Sequence, residues 1–181
     1  MIITLSDEIV SRCKKFAEDR LTLSANLYKW RGETKQDKMV EDIVIGTMGE
    51  FGVYSYLCSK GIVVSEPDLT IYSQRNKKHG ADLIGEKHRI NIKSQSASSV
   101  KRYNHSWLFQ RTDKLVSVPS DIDFCAFTAV DGVLNQVEIV AVVRAKDLIP
   151  YYAECKVPMY RHSKVALYLK DFQSEIDLQV L

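Results

Sequence analysis

The residues best suited to chemistry lie in one short stretch, His79 to Gln95, HGADLIGEKHRINIKSQ. It places one acid, Asp82, near the end of a short apolar strand, Ala81 to Ile84. A turn follows at Gly85-Glu86, and a second strand is expected from Arg89 to Gln95. Strand residues two apart share a face. Asn91, Lys93 and Gln95 therefore line one face, while Ile90 and Ile92 point into a core on the other. A short hairpin can bring Asp82 beside Asn91 and Lys93. An acid, a second oxygen-bearing side chain and a lysine at one strand end suit a hard cation, a water and a phosphate.

A helix must carry the next candidate. The pattern predicts it from about Met39 to Lys60, with Gly61 as its C-terminal cap. Ile43, Gly46, Thr47, Glu50, Val53, Tyr54 and Leu57 recur three and four apart and form one stripe. Glu50 is the one charged member. A carboxylate on a core-facing stripe is costly unless it has a partner, or unless it reaches solvent at the stripe's edge. Gly46 and Gly49 are expected to let this helix approach a neighbour closely.

The remaining elements frame these two. Ser6-Asp7-Glu8 caps an N-terminal helix, and Leu23, Leu27 and Trp30 suggest a second helical piece. Arg31 to Lys38 reads as a polar loop. Ile62 to Val64 reads as a strand, Asp68 to Tyr72 as extended or turn, and Gln74 to His79 as a basic loop. Ser94 to Ser106 reads as a polar loop over the site, followed by the short apolar run Trp107 to Phe109. Phe124 to Val130 and Val137 to Val143 are strands apolar on both faces, joined at the Asp131-Gly132 turn signal and expected at the centre of a sheet. Ala145 to Ile149 starts a helix that Pro150 stops. Val165 to Leu169 reads as an edge strand, and Phe172 to Leu178 as a final helical turn.

The 181 residues, 45% of them hydrophobic, suffice for one domain with a real core. The net charge is only +2. Its distribution is uneven: Gln74 to Lys114 holds ten basic residues and three acids, net +7, leaving about −5 elsewhere. A basic centre between acidic ends is how a polyanion site often looks. Arg75, Lys77, Lys78, Lys101, Arg102 and Lys114 are the candidate phosphate contacts, with Asn104 and His105 as candidates for base edges. Trp107 and Tyr103 could stack on bases, although core packing is the commoner use of such rings. Cys13, Cys58, Cys125 and Cys155 lack the spacing of a zinc or redox motif and read as small hydrophobes in a reducing, cytoplasmic setting. The four histidines show no metal-ligand spacing, and His79 is the one near enough to Asp82 to support it. No signal peptide or membrane-spanning run is expected.

A helix with Gly46-Thr47-Met48-Gly49-Glu50, an aspartate in Gly80-Ala81-Asp82-Leu83, and a strand ending Ile92-Lys93-Ser94-Gln95 resemble the PD-(D/E)XK nuclease superfamily over roughly Glu41 to Val143. The resemblance implies an α/β, restriction-endonuclease-like fold. That is a mixed sheet of about five strands flanked by helices, in a single domain 1–181 with an N-terminal helical extension (1–36) and a catalytic core (37–145). It implies a metal-dependent DNA endonuclease of phage or restriction type, using Mg²⁺ or Mn²⁺ and acting on DNA as a homodimer. Asp82, Asn91, the Ile92 carbonyl and Glu50 would hold the metal, Lys93 would orient or help deprotonate the attacking water, and Gln95 would hold a water or phosphate oxygen. Asn91 departs from the family pattern, which has an acid there. The alternatives are an inactive homologue that binds DNA without cutting it, and an interaction protein whose basic patch meets an acidic partner.

Overall fold

The computed structural model describes residues 1–30, 36–72, 80–118 and 121–173, with backbone alone for 23–30, 114 and 159. The chain opens with β1 (Ile2–Thr4), α1 (Asp7–Trp30) and α2 (Gln36–Ser59). It continues through β2 (Leu83–Ile84), β3 (Arg89–Ser96), α3 (Ala97–Tyr103), β4 (Ser106–Gln110) and α4 (Lys114–Ser117). The central hairpin is β5 (Phe124–Asp131) and β6 (Gln136–Arg144), and a 3-10 helix covers Ala145–Tyr151. Then come β7 (Ala153–Glu154), a short 3-10 turn Pro158–Tyr160, β8 (Lys164–Tyr168) and α5 (Leu169–Phe172).

The main sheet is mixed, five strands in the order β1-β6-β5-β3-β2. β3 runs parallel to β5, with Asn91 opposite Cys125 and Lys93 opposite Phe127. β5 is buried along nearly its whole length, as its unbroken apolar run requires. On one face α2 packs through Val53, Tyr56 and Leu57 onto Ile90, Ile92, Phe124 and Ala126. α2 is also buried on its far side, where Ile45, Met48 and Phe51 meet Val10 and Cys13 of α1. The other face of the sheet carries a second, three-stranded sheet, β4-β8-β7, through Trp107, Phe109, Phe127, Leu167 and Phe172. Among the described residues, no helix is long and apolar enough to cross a membrane.

Several expectations need correction. The N-terminal helix is present as α1, and the segment ahead of it, expected without a strand, pairs Ile2–Thr4 with Val137 and its neighbours as an edge of the main sheet. α1 runs unbroken through Trp30 and α2 begins at Gln36, three residues before Met39, because polar side chains at a first helical turn do not prevent helix. Ile62–Val64 contributes only the bridge Val64↔Gly85, and the Asp82 strand shrinks to Leu83–Ile84. The polar loop after β3 is instead a helix, α3, which Ser96 caps by accepting from the Ser99 N–H. Pro150 lies inside its 3-10 helix and does not end it. β8 is the central strand of the small sheet, not an edge strand. The final turn is helical at Leu169–Phe172, and the rest of Phe172–Leu178 lies outside the described residues beyond Gln173. The C-cap expectation holds: Gly61 has φ +73°, and the Ile62 N–H reaches back to the Leu57 carbonyl.

Candidate functional site

The site forms where β3 outruns β2. β2 pairs only Leu83 with Ile90 and Ile84 with Arg89. One residue earlier, the Asp82 N–H donates to the Ile90 carbonyl at 2.9 Å. Its carboxylate Oδ2 accepts from the Ile92 N–H at 2.6 Å. Asp82 thus spans Asn91, with backbone on one side of it and carboxylate on the other. A strand residue sends its N–H and C=O to the same edge, so the Ile92 carbonyl also lies on the edge toward Asp82.

Glu50 reaches this edge from α2. Its approach depends on Gly49: a Cβ there would collide with the Ser94 Oγ and sit 2.7 Å from the Thr128 Oγ1. Gly52 is equally pressed, with Val137 side-chain carbons at 2.5 to 2.9 Å from a Cβ. Gly46 faces open space, so the close approach belongs to Gly49 and Gly52 and not to Gly46. Glu50 is half-buried, and its carboxyl is raised to about 8. Burial among α1, α2 and the sheet is the main cause, the negative Asp82 is next, and Arg20 and Lys93 pull the other way. Glu50, Asp82 and Lys93 therefore lie within one another's electrostatic reach.

Asn91 points from the face of β3 opposite α2. Its Oδ1 is buried and has no hydrogen-bond partner among the described residues. Such an atom costs about 1–3 kcal/mol, and native proteins rarely leave one without an ion, a water or a strained contact to account for it.

Lys93 shares that face. Its ammonium donates to the Asp113 Oδ2 at 2.9 Å and lies 5.3 Å from the centre of the Phe109 ring. The two side chains of this ion pair are 24% and 21% exposed, so Lys93 is no solvated strand-end lysine. Burial favours its neutral form, but the charge and hydrogen bond of Asp113 and the charge of Asp82 outweigh it, and the net pKa is raised. Lys93 is held as a cation.

Gln95 is committed elsewhere. Its amide donates to the Asn104 carbonyl and accepts from the Ser106 N–H, both at 3.0 Å. It braces the junction of α3 and β4, each end of its amide holding one backbone partner. His105 stacks on Trp107, ring planes 10° apart, and Trp107 is a core residue at 3% exposure. Neither ring is presented as a base reader. Lys101, Arg102, Tyr103 and Asn104 are exposed around α3, with Arg102 over the Tyr103 ring. The side chain of Lys114 and all of Arg75, Lys77, Lys78 and His79 lie outside what is described.

Sequence reasoning missed Asp113, Arg20 and Asp68. Asp113 left a trace, as one of three acids in a strongly basic window. Arg20 and Asp68 left none, because only the packing of α1 and of the segment after α2 brings their charges to Glu50.

The oxygens available around Asp82 are hard ones: its own carboxylate and the Ile92 carbonyl at the β3 edge, the Glu50 carboxyl within electrostatic reach from α2, and the Asn91 amide on the strand face opposite α2. They fit a small divalent cation that keeps several waters, as magnesium does when one or two carboxylates hold it. The orphaned Asn91 oxygen and the mutual repulsion of Glu50 and Asp82 both favour such an ion. Among the described residues no group of three or more His, Cys, Asp or Glu side chains is placed to hold a metal. No protein-family model, curated protein or solved structure matches the chain.

Proposed function

We propose that the chain is a divalent-metal-dependent nuclease acting on DNA phosphodiesters. The observation that carries this reading is that Glu50 and Asp82 lie within each other's electrostatic reach near the edge of β3, on a strand that also bears the unpartnered Asn91 oxygen and the Lys93 cation. Asp82 and Glu50 would hold Mg²⁺ or Mn²⁺, with the Asn91 amide oxygen and the Ile92 carbonyl completing the protein's share. When bound, such an ion lowers the pKa of a water and offsets phosphate charge. Lys93, kept protonated by Asp113, stabilises negative charge on the phosphate and does not take a proton from water. Lys101 and Arg102 on α3 hold the DNA backbone without reading its sequence. A homodimer would supply the second site that a double-strand cut needs.

The second reading is a DNA-binding homologue that does not cut. Two observations favour it: among the described residues no three carboxylates gather to hold a metal, and Lys93 is already paired with Asp113. Incubation of the protein with plasmid DNA and Mg²⁺ or Mn²⁺ separates the readings. The nuclease nicks or linearises the plasmid, and Asp82→Ala and Lys93→Ala each abolish this while circular dichroism shows an intact fold. Metal-independent retardation of DNA with no cleavage under either metal replaces the nuclease by the binder. Absence of both cleavage and salt-sensitive binding removes both readings.

A further inference from the structure

A second concavity lies at the turn end of the β2–β3 hairpin and shares no residue with the candidate centre. It is a cavity of about 360 Å³ whose wall includes Lys87, His88, Asp123, Phe124, Arg144 and Lys146. Phe124 stands opposite Ile90 on β3 and Arg144 on β6, so the cavity is level with the first residues of β3. Asn91 and Lys93 lie one to three residues further on, roughly 3–10 Å along the strand.

The wall is cationic around an aromatic floor. Phe124 is 3% exposed, meets the His88 ring edge to face at 5.1 Å, and lies 5.6 Å from the Arg144 guanidinium. Among the described residues Asp123 is the one carboxylate in this wall, and it is engaged: its Oδ2 accepts from the Arg89 N–H at 2.7 Å and lies 3.9 Å from the Arg89 Nε. Among the described residues Lys87, Arg144 and Lys146 reach no carboxylate within ion-pair distance. Three like charges around one recess repel one another, and the recess concentrates their field on whatever enters it. A single surface lysine is ordinarily just solvated. Two lysines and an arginine from the hairpin turn, the end of β6 and the following 3-10 helix, gathered over one ring, form a site for an anion.

We propose that this cavity binds a phosphate monoester. With Asp123 counted, its fixed charge is about +2, which matches the roughly −1.5 to −2 of a monoester near neutral pH better than the single charge of a diester. A volume of about 360 Å³ is at the small end of ligand pockets, the size for one nucleotide-like unit, with Phe124 and His88 as its apolar wall. A small phosphorylated molecule and the terminal phosphate of a nucleic-acid strand present the same chemistry. The proposal does not depend on cleavage.

The test is a titration of the metal-free full chain, followed by amide chemical shifts and by calorimetry. The probes are inorganic phosphate, a nucleoside monophosphate, and a short DNA oligonucleotide with and without a 5′-phosphate. Saturable shifts at Lys87, His88, Phe124 and Ala145 are expected with the monoesters. Lys87→Ala and Lys146→Ala, both at exposed positions, each weaken binding about tenfold, as removal of one charge-assisted hydrogen bond does. Lys15→Ala, exposed on α1 and outside the cavity, leaves monoester binding unchanged, and the metal-free titration reads this site whether or not the nuclease reading holds. Tighter binding of the phosphorylated oligonucleotide identifies a strand end as the source, and preference for the monophosphate identifies a small ligand. Absence of saturable shifts with every monoester overturns the proposal. So does an equal weakening by Lys15→Ala, which would reduce the effect to overall charge.

Discussion

Glu50 and Lys93 show how burial and a neighbour's charge set what a side chain can do. Glu50 holds its proton up to about 8 in the folded protein, whereas the free side chain ionises near 4.5. Between those values the unfolded chain has released the proton and the folded one keeps it. The folded state therefore binds more protons, and this group lowers stability as pH rises from 4.5 through 8. Glu50→Gln stays neutral throughout. It should match the parent in melting temperature below pH 4.5 and exceed it above pH 8, by about 2 kcal/mol after partial screening of a half-buried charge. Mg²⁺ should stabilise the parent in the alkaline range and act less on Glu50→Gln. Parallel melting curves across that range, with or without Mg²⁺, would refute the placement of Glu50. For Lys93 the sign is opposite in consequence: Asp113 and Asp82 keep it charged, which suits holding a phosphate and does not suit accepting a proton.

At the level of elements, the seat of α2 on the sheet decides whether Glu50 meets Asp82 at all. Gly49 rests over the Ser94–Thr128 pair, whose hydroxyls are 2.9 Å apart. Gly49→Ala forces α2 away from β3 and should cost about 1–3 kcal/mol in a urea melt. It should also lower the alkaline stability loss attributed to Glu50, because the helix carries that carboxyl away from Asp82. Gly46→Ala meets nothing within 4 Å and should instead stabilise the helix by about 0.5–1 kcal/mol. Equal effects of the two substitutions would mean that helix propensity, not close packing, governs this segment. α3 is a second such device. Gln95 ties its end to β4, so the exposed Lys101 and Arg102 are presented on a fixed helix rather than on a loose loop.

Over the whole molecule, charge is partitioned while the total stays near zero. The net +2 hides a basic central window, and the folded chain displays cations both on α3 and around the Phe124 cavity. If DNA lies along α3, its affinity should fall linearly in a plot of log affinity against log salt. The double substitution Lys101→Ala with Arg102→Ala should reduce that slope by about 2, close to one for each phosphate no longer neutralised. An unchanged slope in fluorescence anisotropy would move the DNA off α3.

Periodic patterns carried far in this chain, because they depend on neighbours in sequence. The alternation of Ile90 and Ile92 with Asn91 and Lys93, the β5–β6 hairpin, the Glu50 helix and its Gly61 cap were all legible from spacing alone. The absence of an Ile62–Val64 strand, the capped helix α3 and the small sheet β4-β8-β7 were not, since long-range partners decided them. The same holds within the site. Lys93 finds Asp113 twenty residues away, Gly49 rather than Gly46 bears on the sheet, the Asn91 Oδ1 is buried with no partner among the described residues, and Lys87 and Arg144 line one cavity at the sheet end. Residue types and their periods determined which groups were available and on which face each would stand. Which of them meet, and with what charge, was settled only when distant segments packed, because burial and Coulomb interaction depend on distance in space and not on order along the chain.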